Sequence, residues 1–110
     1  MTATHKPPAS RSHDAAVVEL LKADPDFANE YLATALEEAE QPGGQAALLG
    51  ALRHVAEAQG MATVAQRAGI PRETLYRALG PKGNPTVKTL LAVLGAAGLR
   101  VAVTRDSAHA

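Results

Sequence analysis

The sequence predicts an all-α domain of five to six helices, built around a helix-turn-helix and closed by one short C-terminal strand. Three observations predict it. Residues Gly60 to Gly80 have the spacing of a DNA-binding helix-turn-helix. The segments around them repeat apolar residues every three or four positions between Pro- and Gly-containing breaks. The 110-residue chain is 46% hydrophobic yet holds one Phe, two Tyr and no Trp, so its core must be Leu, Val and Ala packed between helices.

Met1 to His13, with Pro7-Pro8 and no apolar periodicity, reads as a mobile N-terminal tail. Asp14 is the expected N-cap of a short helix to Lys22, with Val17, Val18 and Leu21 as its apolar stripe. Asp24-Pro25 reads as an N-cap followed by Pro at the first helical position. The helix it opens should run to about Glu40, with Phe27, Tyr31, Leu32, Ala35, Leu36 and Ala39 on one face. Gln41-Pro42-Gly43-Gly44 breaks it. A third helix over Gln45 to Gln59 turns Leu48, Leu49, Leu52, Val55 and Ala56 inward, and Gly60 joins it to the helix-turn-helix.

Within the motif, the first helix spans Met61 to Ala68, with Val64 and Ala68 inward and the small Ala65 where two helices approach closely. Gly69 supplies the positive φ that ends it, Ile70 anchors the turn, and Pro71 suits the opening of the second helix. Leu75, Ala78 and Leu79 then face inward, leaving Arg72, Glu73, Tyr76 and Arg77 outward, where a recognition helix meets the major groove. The blander alternative is an ordinary surface helical hairpin. A loop over Gly80 to Pro85 follows, then Thr86 as the cap of a last helix that buries Val87, Leu90, Leu91 and Leu94 and ends at Gly98.

From Leu99 the period changes to two: Leu99, Val101 and Val103 alternate with Arg100, Ala102 and Thr104. A lone strand is incomplete, so the same strand of a second copy is the economical partner and these three residues are the expected dimer contacts. The alternative is an extended tail packed on its own domain. The reading is thus one helical DNA-binding domain over 14–104, with the helix-turn-helix at 61–79 and tails at 1–13 and 105–110.

Net charge is zero, but the charges are segregated. Asp14 to Glu40 holds eight acids against one base, Lys22, a balance of −7. Gly60 to Arg105 holds seven bases against one acid, Glu73, a balance of +6. This places a positive field on the helix-turn-helix half, suited to phosphate, and leaves the acidic half for a basic partner or as a solvated helix face.

The same inventory argues against catalysis. His5, His13, His54 and His109 are scattered without metal-ligand spacing, and His54 reads as a partly exposed helix residue. The carboxylates stand beside no nucleophile or phosphate loop, so no catalytic residue, cofactor or metal is expected. The absence of Cys fits a reducing cytoplasm, and no apolar run approaches the roughly 18 residues of a membrane span.

From Asp14 to about Val103, the acidic helices, the helix-turn-helix after Gly60-Met61, the run Pro71-Arg72-Glu73-Thr74-Leu75-Tyr76-Arg77-Ala78-Leu79 and the loop Lys82-Gly83-Asn84-Pro85-Thr86 closely resemble the antidote proteins of bacterial addiction modules. The resemblance implies a lambda-repressor-like (Xre-type) fold and an antitoxin that represses its own operon and neutralises a RelE-like ribonuclease toxin. Ser is common in that family where this chain has Pro71, so a hydroxyl is missing there. A stand-alone phage-type repressor, and a protein-sequestering module without DNA binding, are the alternatives.

Side-chain chemistry assigns roles within the DNA reading. Arg72 and Arg77 offer planar forks to guanine, while Glu73 accepts from cytosine or orients Arg77. Tyr76 suits a thymine methyl or a phosphate, and Thr74 a phosphate. Arg67 on the first helix, and Lys82, Asn84, Thr86 and Lys88 beyond the second, are expected against backbone phosphate.

Overall fold

The computed structural model describes residues 7–106, and within them the chain forms six helices. These are α1 (Pro7–Ala23), α2 (Phe27–Glu37), α3 (Gly44–Gln59), α4 (Met61–Ala68), α5 (Arg72–Ala78) and α6 (Val87–Ala96). α3 is the spine of one half, receiving α1 and α2; α4 is the hub of the other, receiving α5 and α6. The two halves meet where α3 packs on α4. One core runs through both, from Leu21, Ala28 and Leu32 across Leu49, Leu52, Val55 and Ala56 to Met61, Val64, Ala65, Leu75, Leu79, Val93 and Ala96.

Helix bounds differ from the expectation at three places. α1 begins at Pro7, so Asp14 lies inside the helix instead of capping it; two prolines in a first turn cost little, because those N–H groups have no helical acceptor. Positions 1–6 and 107–110 of the expected tails lie outside the described residues. α2 begins at Phe27, preceded by a turn in which Phe27 and Ala28 donate to the carbonyls of Asp24 and Pro25. α2 also stops at Glu37, three residues early, and the chain winds through successive turns in which Gln41 N–H donates to Glu38 O and Gly44 N–H to Gln41 O.

Three burial expectations are overturned. Leu36 is exposed on α2, whose inner face is Ala28 and Leu32. On α6, Val93 and Ala96 are buried and Leu90 and Leu94 pack against the core, while Val87 and Leu91 are 72% and 51% exposed. That helix is apolar around nearly its whole circumference, so periodicity alone did not choose the face that meets α4. His54 is 6% exposed, not half-open.

His54 is buried because both ring nitrogens are satisfied. Its Nε2 lies 2.8 Å from Asp14 Oδ1 and its Nδ1 2.7 Å from the Tyr31 hydroxyl. A carboxylate can only accept, so Nε2–H donates to Asp14 and, in the neutral ring, Nδ1 accepts from Tyr31. One side chain of α3 thereby ties down α1 and α2. Tyr31 also stacks on Phe27, ring centroids 5.8 Å apart.

The expected C-terminal strand is absent: no strand occurs among the described residues. Leu99 N–H donates to Leu94 O and its partly buried side chain packs on the chain's own core. Val101 and Val103 are exposed, Val103 by 94%, with no partner strand among the described residues to complete a ladder.

Two predictions follow from this packing. A Cβ at Gly83 would run into the Ala78 carbonyl, whereas one at Gly50, within α3, meets nothing. Gly83→Ala should therefore destabilise the fold by about 1–3 kcal/mol. Gly50→Ala should stabilise it by roughly 0.5–1 kcal/mol, both read by urea unfolding. Burial first, and then the Asp14 charge, raise the Tyr31 phenol above its ordinary 10.0, against a smaller lowering by Arg53. A raised acid stabilises the fold fully below the unfolded value, and that contribution is lost as pH rises through the folded one. Stability should thus fall more steeply above pH 10 in the wild type than in Tyr31→Phe, measured as unfolding midpoint against pH.

Candidate nucleic-acid interface

The α4–turn–α5 unit is shaped by a few local constraints. Met61, Val64 and Ala65 bury one side of α4 and leave Arg67 exposed in its last turn. Gly69 takes φ 75°, a left-handed value that a side chain would strain, and its N–H bonds back to α4 carbonyls. Ile70 N–H also returns to Ala65 O, at 3.1 Å, and its side chain packs on the core, as expected of the turn's anchor. Pro71 is the N-cap of α5, with ψ 147°, one position earlier than the first-helical-residue role expected of it. Its fixed φ, here −62°, suits either position, and its carbonyl accepts the Leu75 N–H.

Leu75 and Leu79 have no solvent exposure. With that side of α5 buried, Arg72, Glu73, Tyr76 and Arg77 are exposed, while Thr74 and Ala78 are half-buried at the margins. The Arg72 guanidinium lies over the Tyr76 ring, 5.6 Å from its centroid, an arrangement that favours the cation and holds it along the helix. Glu73 and Arg77, four apart, form no ion pair among the described residues, so the expected orienting contact is replaced by the Arg72–Tyr76 one.

Beyond α5 the chain makes two tight turns, Gly80 N–H to Arg77 O and Gly83 N–H to Gly80 O. These bring Lys82 beside Glu73, Tyr76 and Arg77, which together with Gly80 and Pro81 line one open concavity. Asn84 does not join them; it borders a separate hollow with Gln45 and Leu90. Thr86 caps α6 as expected, accepting the Thr89 N–H at 3.1 Å and donating to Thr89 Oγ1, so its hydroxyl is already engaged. Lys88 is exposed in the first turn of α6, and neither it nor Arg67 reaches the concavity.

Sequence reasoning missed Arg53. Its Nη1 donates to the Leu79 carbonyl at 3.3 Å, which satisfies a carbonyl at the end of α5 from the α3 side. The only signal was a base amid the apolar run of α3. Of the ten residues assigned to DNA, five therefore form a compact surface, Arg72, Glu73, Tyr76, Arg77 and Lys82, with three cations to one acid. Among the described residues no group of His, Asp or Glu could hold a metal ion, and no helix is long and apolar enough to cross a membrane.

Residues 12–105 match the model of a family described as probable addiction module antidote protein. A curated protein of Haemophilus influenzae, named only as uncharacterised, is 42% identical over 59 residues, which is 54% of this chain and 61% of the relative. The chain thus spans less than two thirds of that relative's length. No solved structure matches.

Proposed function

Since the chain belongs to the family of probable addiction module antidote proteins, we propose that it is a DNA-binding antitoxin that represses its own operon and neutralises a RelE-like toxin. In this reading α4 and α5 are a lambda-repressor-like (Xre-type) helix-turn-helix, and α5 is the recognition helix. The observation that carries the DNA half is the outward face of α5, where Arg72, Tyr76 and Arg77 stand opposite two fully buried leucines, with Lys82 beside them. Such a face offers forked donors to base edges and a lysine to phosphate. Arg67 and Lys88 are left for flanking phosphates, Asn84 and Thr86 for weaker backbone contacts, and Thr74 for the helix margin. The protein works in the cytoplasm, where its operator is, and carries out no catalysis.

One helix-turn-helix contacts few bases, and a dimer on a two-fold operator doubles them. Val87 and Leu91 on α6, with Val101 and Val103 just after it, are large aliphatic side chains that the single chain leaves in water. We assign them to the homodimer contact, which they reach without a strand ladder. A lone repressor or a sequestering module would lack, respectively, the toxin partner or the operator.

Binding to the DNA upstream of its own gene, followed by fluorescence anisotropy at several salt concentrations, tests the reading. Arg72→Ala and Arg77→Ala should each cost about 1–3 kcal/mol and relax preference at one base pair. Lys82→Ala should weaken all sequences equally and lower the salt slope by about 1. An affinity indifferent to salt, or no specific complex at low salt, would overturn DNA binding. Leu91→Asp should convert a dimer to a monomer in sedimentation at low micromolar concentration with helix content unchanged, and a mutant that stays dimeric would move the interface off α6.

A further inference from the structure

A second concave surface lies between α2 and α3, in the acidic half. Its wall is the stacked pair Phe27 and Tyr31, both half-buried, its floor is Ala51 and Ala35, and the exposed Ala47 lines its edge. Glu30, Thr34 and Glu38 form the rim. Two of the chain's three aromatic side chains thus stand with ring surface open in one groove, and partly open aromatics concentrate in binding surfaces. Between Lys22 and Arg53 there are six acids, Asp24, Asp26, Glu30, Glu37, Glu38 and Glu40, and no Lys or Arg. Neither rim glutamate has an ion-pair partner among the described residues. An apolar groove edged by unpaired carboxylates is complementary to a cationic amphipathic helix.

We propose that this groove is the docking site for a basic helix of the toxin, an inference that rests on the antitoxin reading above. An arginine of that helix stacks its guanidinium on the Phe27–Tyr31 wall and pairs with Glu30, its aliphatic stem lying over the alanine floor. Arginine fits better than lysine because its flat, weakly hydrated head both stacks and forks to a carboxylate. Glu38, the residue that caps the C-terminus of α2, is eight residues, roughly 12 Å, further along, so a second cation two turns away on the toxin helix meets it. The groove lies on α2 and α3 and shares no lining residue with the α5 concavity, leaving the recognition face open.

The test uses the full chain and, as probe, the protein encoded by the adjacent reading frame, with association and dissociation rates measured across a salt series. Thr34→Arg places a cation on the rim at an exposed position and should weaken binding at least tenfold. The double variant Glu30→Gln, Glu38→Gln should slow association several-fold and flatten its salt dependence. Unchanged circular dichroism and thermal midpoint certify that both variants fold; Thr34 and the two glutamates are exposed and outside the core. If the probe binds wild type and both variants alike, the groove proposal is overturned and the antitoxin reading stands. If the probe does not bind wild type at all, the antitoxin reading falls, and the groove proposal with it.

Discussion

The burial of Val64, Leu75, Leu79 and Val93 among α4, α5 and α6 is the constraint on which the basic half depends. They are the largest fully buried side chains among the described residues, and they come from three elements that are each short. α5 has seven residues, far below the length at which an isolated helix persists in water. It exists because two leucines four apart are withdrawn from solvent, each worth about 1.5–3 kcal/mol. The direction of Arg72, Tyr76 and Arg77 is a consequence of the same burial. A helix pinned along one line by Leu75 and Leu79 has no freedom to rotate, so its polar side chains point outward by default. Ala65 contributes by being small, since it is 3% exposed on the helix that supports α5.

The acidic half is held by a different kind of contact. Among the residues of α1 whose side chains are described, Leu21 enters the buried core with Val17 beside it, and part of the helix's docking falls to the Asp14–His54 hydrogen bond. Because Tyr31 completes the other side of the same ring, α1 and α2 are fixed to α3 by one imidazole with no spare donor or acceptor. Removing either partner would leave a buried polar atom unpaired, which costs more than the bond itself contributes. Six of the chain's acids, with no Lys or Arg among them between Lys22 and Arg53, lie in the half of the molecule that does not contain α5. The charge is therefore uneven along the molecule, so an anion would be drawn toward the basic half and away from the acidic one.

What the sequence revealed was what short-range chemistry decides. Gly69, the spacing of Leu75 and Leu79, the bounds of α4 and the Thr86 cap all depend on contacts within about four residues, and each stands as expected. Pro71 was displaced by a single position, within the tolerance of any cap reading. The errors fall where distant residues decide. His54 finds Asp14 forty positions away, and nothing local announces such a partner. Which side of α6 meets α4 was open because nearly every side of α6 is apolar. Asp14 looked like a cap because acids favour helix starts, but a helix that is already docked through Leu21 and His54 can extend backward past it.

The last helix explains why the two-residue period after it misled. α6 carries two apolar ridges: Leu90, Val93, Leu94 and Ala97 complete the chain's own core, and Val87 and Leu91 do not take part in it. The chain then reverses at Gly98, and Leu99 is drawn back onto the first ridge through its N–H to Leu94. Only Val101 and Val103 of the alternating set remain outside, in the same stretch of chain as the second ridge. The alternation therefore marks a division of labour between two surfaces more than a strand, with one apolar residue turned to the core and two left out. Since α4 touches both α5 and α6, a second copy seated on the outer ridge would be held in fixed relation to the α5 helix of each copy. In such a dimer the spacing of the two α5 helices would be set by the packing of Val64 and Val93 and not by any flexible linker.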